Sequence, residues 1–433
     1  MSFALIAAGI GLTLYAGFAL SGAPASGAHR ASALHPLFLA SVFCLIYLFD
    51  LLYQNLLGVT ALRGVTVNLS NFEISQVVLV HLWAFLGLVL GAVAAFRSRR
   101  RIKAVRFPDT FASAALVWFL LVSGGTLALY VSSFGPTFGL DEIGANKALN
   151  ASRNPVLAQM FWLVVMSAAI CITVEKVSMV RIALVLGIAV FTVFSSGVRG
   201  QLVVLAMAAL YAFSLHGLRI GRWAALLALV PLALVLSVLR VLSRGGPSFA
   251  GDVQAYIGAR GGLLSFLFET DEISHAEIFS QFVLNEHLPL WRFPFQGLLG
   301  VLAVPLPRDW FAWKPTALST DFTRYWSPEI YANSRSELVV GGFSEAVLEF
   351  GVIFAPVLTA LVGYVTVRLF LRSIHASKPS ALFACLASIG VLFFLRNELF
   401  ILGIVAWPAL ISALGALMLA WAIKALGRPA LRV

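Results

Sequence analysis

Apolar stretches of roughly membrane-spanning length recur along most of the chain, and they limit its fold more than any other feature. Eleven such stretches occur, at residues 3–20, 37–57, 76–96, 111–132, 155–174, 180–195, 201–216, 223–242, 346–371, 381–395 and 399–422. A helix of roughly 20 apolar residues crosses the hydrocarbon core of a bilayer. We therefore predict an all-α polytopic membrane protein with about 11 transmembrane helices.

The composition excludes an ordinary soluble domain. Of the 433 residues, 60% are hydrophobic and 11% are charged, whereas about a quarter of the residues in soluble domains are charged. The three cysteines, Cys44, Cys171 and Cys385, each fall inside an apolar stretch, and they therefore predict neither a disulfide framework nor a metal site. The first stretch lacks the basic N-terminal region of a signal peptide, so we expect it to be retained as a helix.

The excess of positive charge follows the expected membrane topology. The formal charge is +11, from 30 basic and 19 acidic residues. The densest basic segment, residues 97–106, lies in a short loop, as the positive-inside rule expects of cytoplasmic loops. Alternation of spans places the basic segments 175–181, 216–222, 368–378 and 424–433 on the same side. We attribute the charge to topology and expect no nucleic-acid partner.

This topology divides the chain into three parts. Residues 1–241 hold transmembrane helices 1–8, residues 242–345 form one large external loop, and residues 346–433 hold helices 9–11 and a cytoplasmic C-terminus. The loop contains four tryptophans and apolar segments too short to span, such as 262–268 and 279–284. We expect short helices that lie in the membrane interface or fold back on the outer mouth of the bundle.

Several arginines at the predicted external ends are candidates for binding an anionic group. Arg199 lies in a break rich in small residues, Ser195 to Gly200. Its guanidinium can bind an anionic group through two parallel hydrogen bonds. The alternative is that it anchors the helix among the lipid headgroups. Arg240 and Arg244 are four residues apart, so a helix projects both from one face. Such a pair suits a diphosphate, although ordinary flanking charges are the simpler interpretation.

The large loop contains two proline-stiffened turns that present a cation. Arg308 follows Pro305-Leu306-Pro307, and Lys314 lies between Trp313 and Pro315. A ring beside a cation can hold a sugar by stacking and a phosphate by charge. The alternative is a solvated loop with its rings on the membrane surface.

Two carboxylates lie where the loop re-enters the membrane. Glu345 and Glu349 are four residues apart after the Gly341-Gly342 pair, so a helix stacks them on one face. At the membrane boundary this pair supplies a general base or an ionic brace for nearby arginines. A purely structural role for Glu345 at a positive helix N-terminus is the alternative.

Isolated charged residues add further candidates. Asp50 lies inside the second span, where a charge is costly and therefore a functional candidate. The turn Arg396-Asn397-Glu398 separates the last two spans and is placed to close the same external cavity. His275 is a lone loop histidine without ligand spacing, so a solvated role competes with a catalytic one. No Walker A loop, HExxH, GxSxG or dinucleotide fingerprint occurs, which makes ATP hydrolysis and zinc proteolysis poor hypotheses.

Taken in order along the chain, these motifs resemble the O-antigen polymerases of the Wzy type, which join oligosaccharide repeat units. The resemblance rests on short patterns spread from the second span to the last: His35-Pro36, the Ser196-Gly197-Val198-Arg199 break, Pro307-Arg308, Lys314-Pro315, and the re-entry from Gly341-Gly342 to Glu349-Phe350-Gly351. The family is diverse in sequence, so the resemblance indicates the class of reaction better than the substrate.

The resemblance implies a metal-independent glycosyltransferase of the bacterial inner membrane that works without a cofactor on the periplasmic side. It would transfer a glycan from undecaprenyl diphosphate to the non-reducing end of another lipid-linked unit, in lipopolysaccharide biosynthesis or a related pathway. Its partners would be these lipid-linked oligosaccharides, the bilayer and a chain-length regulator protein. Two alternatives stay open: an O-antigen ligase-like glycosyltransferase, and a membrane transporter of an anionic solute.

Carried onto this sequence, the resemblance assigns roles to the candidates above. Without a metal, the developing charge of the diphosphate leaving group has to be met by preorganised cations. The expected catalytic residues are Arg199, Glu345, Glu349 and His275, and the expected diphosphate-binding or substrate-binding residues are Arg240, Arg244, Arg308, Lys314 and Arg396.

Overall fold

A computed structural model shows a bundle of apolar helices. It describes residues 2–20, 34–57, 60–62, 65–67, 69–98, 107–135, 155–194, 199–218, 221–223, 275–285, 288–306, 311, 313–334, 338–374 and 380–426. The predicted span 223–242 lies almost wholly outside these residues, as do Arg240, Arg244 and Arg308.

The described helices follow the predicted spans closely. In chain order they are α1 (Ser2–Leu20), α2 (Pro36–Leu57), α3 (Asn71–Arg97), α4 (Phe111–Phe134), α5 (Pro155–Thr173), α6 (Met179–Phe194), α7 (Arg199–Leu215), α8 (His275–Leu284), α9 (Gln296–Ala303), α10 (Leu318–Trp326), α11 (Pro328–Ser334), α12 (Gly342–Ile374), α13 (Leu382–Arg396) and α14 (Leu399–Leu426). A short antiparallel hairpin, β1 (Thr60–Leu62) and β2 (Val65–Val67), joins α2 to α3.

Seven of these helices are long and apolar enough to cross a membrane: α1, α2, α3, α4, α5, α12 and α14. Three more, α6, α7 and α13, are apolar but shorter than 18 residues. A polytopic helical membrane protein is therefore confirmed, whereas the predicted count of 11 spans is not. Helices of 15 to 17 residues reach about 25 Å at 1.5 Å per residue, somewhat less than the roughly 30 Å of hydrocarbon in a typical bilayer.

Two helices, α3 and α12, run parallel and in close contact because small residues line their interface. A Cβ atom on Gly87 would lie 2.5 Å from the carbonyl oxygen of Pro356. The Thr359 hydroxyl donates to the Ala84 carbonyl oxygen at 2.7 Å. In membranes such small-residue contacts let helix backbones approach each other and gain packing energy.

A glycine interrupts α12 close to its start. Gly351 has φ 70° and ψ 167°, a conformation that costs an L-residue strain and that glycine adopts freely. The interruption separates a short first segment, which carries Glu345 and Glu349, from the long segment that packs on α3. The break therefore changes the direction of the backbone directly after the two carboxylates.

A second group of helices packs beside the first. α4, α5 and α14 contact one another, and α13 lies between this group and α2 and α12. Polar side chains inside the group form hydrogen bonds between helices. The Ser167 and Ser412 hydroxyls lie 2.9 Å apart, and the Thr110 hydroxyl donates to the Ala420 carbonyl oxygen at 3.2 Å. The pairing of Thr110 with Ala420 shows that α4 and α14 run antiparallel.

Helix directions separate the described charges into two ends of the bundle. We call one the basic end; its members, with two acids, are Arg97, Lys176, Arg181, Arg222, Arg368, Arg372, Lys424, Asp109 and Glu175. There Arg368 donates to the Ser98 carbonyl oxygen at 2.7 Å, tying the last turns of α3 and α12 together. The opposite end, which we call the acidic end, holds the first turns of α12 and α14, with Glu345, Glu349 and Glu398.

Candidate functional site

A buried arginine lies at the centre of the acidic end. Arg292, in the segment between α8 and α9, donates from Nη2 to the Thr316 carbonyl oxygen at 2.7 Å and to Asp321 Oδ2 at 3.3 Å. Its Nη1 atom lies 3.8 Å from Glu345 Oε1 and 3.9 Å from Glu398 Oε2. The guanidinium thus joins three segments that are far apart in the sequence.

Three glutamates around Arg292 each bind the first turn of a helix. Glu349 accepts the Gly297 N–H at 2.6 Å at the start of α9, and Glu345 accepts the Leu399 N–H at 2.7 Å at the start of α14. Glu398 accepts the Ser319 N–H at 3.0 Å and also the Leu318 N–H, both at the start of α10. A carboxylate stabilises the free N–H groups and the positive dipole of a helix N-terminus.

We call Arg292, Asp321, Glu345, Glu349 and Glu398 the carboxylate cluster. Several of its polar atoms lack a hydrogen-bond partner in the described part of the chain: Arg292 Nη1, Glu345 Oε1 and Glu349 Oε2. All three side chains are buried. Leaving a buried polar group unpaired is costly, so these three atoms form a small buried group with unused donor and acceptor capacity.

Burial also changes the protonation of the cluster. The pKa of Glu398 is raised to about 7, because removal from water disfavours its charged form more than Arg292 and the α10 N–H groups favour it. Four carboxylates share the field of the Arg292 guanidinium. Glu398 therefore exchanges its proton near neutral pH.

The predicted base candidates are part of this cluster. Glu345 and Glu349 lie beside each other, since a Cβ atom on Gly297 would touch the carboxylates of both. Arg292, which was not among the predicted arginines, lies 3.8 Å from Glu345, and the predicted brace for the other arginines stays a prediction. Glu345 lies in the first turn of α12 and binds the first turn of α14, and its predicted structural role at the N-terminus of its own helix stays a prediction.

Two of the predicted cations, Arg199 and Arg396, belong to helices that begin or end at the same end of the bundle. Arg199 begins α7. A Cβ atom added to its neighbour Gly200 would lie 3.7 Å from the ring of Phe393, near the end of α13. Arg396 ends α13, two residues before Glu398. The side chain of Arg199 is outside the described residues, so its predicted role at a diphosphate stays a prediction.

Lys314 has a structural partner that the sequence did not predict. Its Nζ donates to the carbonyl oxygens of Val304 and Leu306, at 2.7 and 2.9 Å, just after the end of α9. These are backbone groups that a helix end leaves unpaired. The ammonium thus completes the α9 turn, and its predicted contact with a phosphate stays a prediction.

Two further predicted residues lie at the acidic end. His275 begins α8, although its side chain is outside the described residues. Asp50, near the end of α2, accepts the N–H of Ala276 at 3.4 Å. The buried carboxylate of Asp50 is therefore directed at the start of α8, as the glutamates of the carboxylate cluster are at other helices.

Arg292 and Asp321 were missed by the sequence reasoning. The signal was present, because Arg292 stands between Trp291 and Phe293 with no other charge near it. A charge embedded in an aromatic segment is a candidate for burial with a partner. Its partners are 24 to 106 residues away along the chain, which is why spacing could not identify them.

Comparisons with known proteins leave the chain unassigned. No protein-family model, curated protein sequence or solved structure matches it. In the described residues, no group of three or more His, Cys, Asp or Glu side chains is placed to hold a metal ion.

Proposed function

We propose that the protein is a membrane glycosyltransferase that polymerises lipid-linked oligosaccharide repeat units at its acidic end. One observation carries the proposal: candidates from distant segments, Arg199, His275, Glu345, Glu349 and Arg396, all lie at that end of the bundle. The resemblance to O-antigen polymerases of the Wzy type requires this convergence. A reaction that moves a glycan between two membrane lipids needs its cations and its base at one membrane face.

The charge distribution supports an orientation with the acidic end in the periplasm. The basic end carries Arg97, Arg181, Arg222, Arg368 and Lys424 among others, and short loops rich in Lys and Arg stay in the cytoplasm. The resemblance adds the bacterial inner membrane as the location, with undecaprenyl-diphosphate-linked glycans reaching the acidic end from the periplasmic leaflet.

Glu349 is our preferred base for the acceptor hydroxyl. One of its oxygens holds the Gly297 N–H, while Oε2 has no hydrogen-bond partner among the described residues. In the reaction, the hydroxyl oxygen bonds to the anomeric carbon of the donor, its proton passes to Glu349, and the bond to the diphosphate breaks. Arg199 and Arg396 would stabilise the negative charge of the departing undecaprenyl diphosphate. This single displacement inverts the anomeric carbon, which NMR of donor and polymer would check.

Two arginine variants at opposite ends of the bundle test the assignment in membranes. Arg199→Ala should abolish polymer and leave single lipid-linked units, because the diphosphate loses a bidentate partner. Arg372→Ala, an exposed arginine at the basic end, should polymerise normally at equal protein level. Full-length polymer from Arg199→Ala, or loss of polymer from Arg372→Ala, would contradict the proposed site.

A further inference from the structure

The short helix α9 lies directly on the membrane span α14. Its inner face contains Gly297, Gly300, Val301 and Val304, a spacing of three or four residues that defines one side of a helix. A Cβ atom on Gly300 would lie 3.0 Å from Phe400 Cδ2, and one on Gly403 would lie 2.9 Å from the Val301 carbonyl oxygen. Each of the two helices therefore contributes a glycine to their interface, Gly300 on α9 and Gly403 on α14.

α9 runs along α14 from its first turn toward the middle of the span. Val301 and Val304 lie against Gly403, and Trp407 Nε1 donates to the Val301 carbonyl oxygen at 2.8 Å. Gly403 and Trp407 are four and eight residues into the span, which corresponds to about 6 to 12 Å along the helix axis. The segment thus descends beside the span and turns back after Val304.

The outer face of α9 is apolar and uncovered. Leu298, Leu299 and Leu302 are 38%, 42% and 58% exposed. They sit on a span whose own outward residues, Leu410 and Ile411 among them, are also exposed and apolar. The uncovered face of α9 therefore continues the apolar surface of a membrane-spanning helix.

Protein side chains donate to backbone carbonyls of this segment. Lys314 Nζ donates to the carbonyl oxygens of Val304 and Leu306, where α9 ends, and Trp407 donates to Val301. Backbone that turns at membrane depth is tolerated only when its polar groups find partners within the protein.

We propose that α9 is a re-entrant helix whose Leu298, Leu299 and Leu302 contact the acyl chains of the bilayer. The exposed aromatic rings of Trp291, Phe293 and Phe295 precede it, in the position expected of side chains at a membrane interface. Because Gly297 at its start binds Glu349, the lipid phase reaches the edge of the carboxylate cluster. The membrane contact of α9 is independent of the reaction proposed above.

Nitroxide scanning in liposomes tests this contact. Single cysteines at Leu299→Cys and Leu302→Cys are spin-labelled, with Ile411→Cys on α14 as the acyl-chain reference and Glu329→Cys on α11 as the water reference. The unsubstituted protein is the labelling control, since Cys44, Cys171 and Cys385 are buried. Collision rates with oxygen, which concentrates in lipid, and with a water-soluble nickel chelate are measured at each position.

The expected result is a ratio of oxygen to nickel collisions at positions 299 and 302 equal to that at 411 and far above that at 329. A ratio equal to that at 329 would mean that α9 faces water, which overturns the proposal. Exclusion of both reagents would also overturn it, because a second copy of the chain or another protein would then cover the leucines.

Discussion

The Arg292 guanidinium lies where three segments of the chain meet, and it has little access to solvent, with 3% of its side chain exposed. Asp321 and Glu345 approach it at 3.3 and 3.8 Å, and Glu398 at 3.9 Å. Because buried charges depend on their partners, loss of one partner usually costs more than the pair contributes in total. Arg292 is therefore expected to hold the acidic end together.

Arg292→Met should lower the free energy of unfolding by about 3 to 5 kcal/mol, because it leaves buried carboxylates without the guanidinium. The measurement is thermal unfolding in detergent, followed by intrinsic fluorescence. Arg324→Met on α10 is the matched control: Arg324 is exposed and contacts the Tyr331 hydroxyl at 2.8 Å. Equal melting temperatures for the two variants would refute the role assigned to Arg292.

Glu398 should give the protein a pH-dependent stability. Its pKa is about 7 when folded and near its ordinary value when unfolded, so only the folded state keeps the proton between these pH values. The contribution is fully present below the unfolded pKa and is lost as the pH rises to about 7, by on the order of 3 kcal/mol.

The test compares the melting temperature of the parent protein with that of Glu398→Gln across pH 4.5 to 8. The glutamine cannot titrate, so the parent should lose stability relative to the variant over this range and then level off. Parallel curves for the two proteins would show that Glu398 does not carry this proton.

At the scale of elements, the break in α12 decides how the carboxylates are presented. Gly351 has a positive φ, which only glycine adopts without strain, and no atom lies within 4 Å of a Cβ added there. A substitution at Gly351 therefore tests backbone conformation without a steric clash.

Gly351→Ala should destabilise the protein by about 1 to 3 kcal/mol, because a positive φ combined with a ψ near 180° is a conformation that essentially only glycine adopts. Gly124→Ala is the matched control, because Gly124 lies in the regular helix α4 and an added Cβ meets no atom within 4 Å. That change should be neutral or stabilising by up to about 1 kcal/mol. Thermal unfolding of both variants is sufficient, and destabilisation of equal size in the two would contradict the account.

Element positions were predictable from the sequence, and their partners were not. Hydropathy located α1 to α7 and α12 to α14 to within a few residues, because a helix lets a long apolar segment make all its backbone hydrogen bonds internally in lipid. The pairing of Glu345 and Glu349 followed from their spacing. Their bonds to Leu399 and Gly297 span 54 and 52 residues, and a local pattern carries no information about contacts over that distance.

At the scale of the whole molecule, two ends of opposite character fit a reaction confined to one membrane face. The basic end is held by arginines that donate to helix carbonyls, such as Arg181 to Ala112 and Arg222 to Phe18. The acidic end is held by glutamates that accept from helix N–H groups. We expect chemistry only at the acidic end, where charges are buried together and Glu349 keeps an oxygen without a partner.

The central claim is that this chain joins lipid-linked repeat units without a metal or a nucleotide. The most direct measurement is to incubate the purified protein in liposomes with undecaprenyl-diphosphate-linked repeat units and EDTA, and to separate the glycans on a gel. The account predicts a ladder of repeat-unit multiples that Arg199→Ala fails to produce. An unchanged single band, with substrate that another polymerase extends, would contradict it.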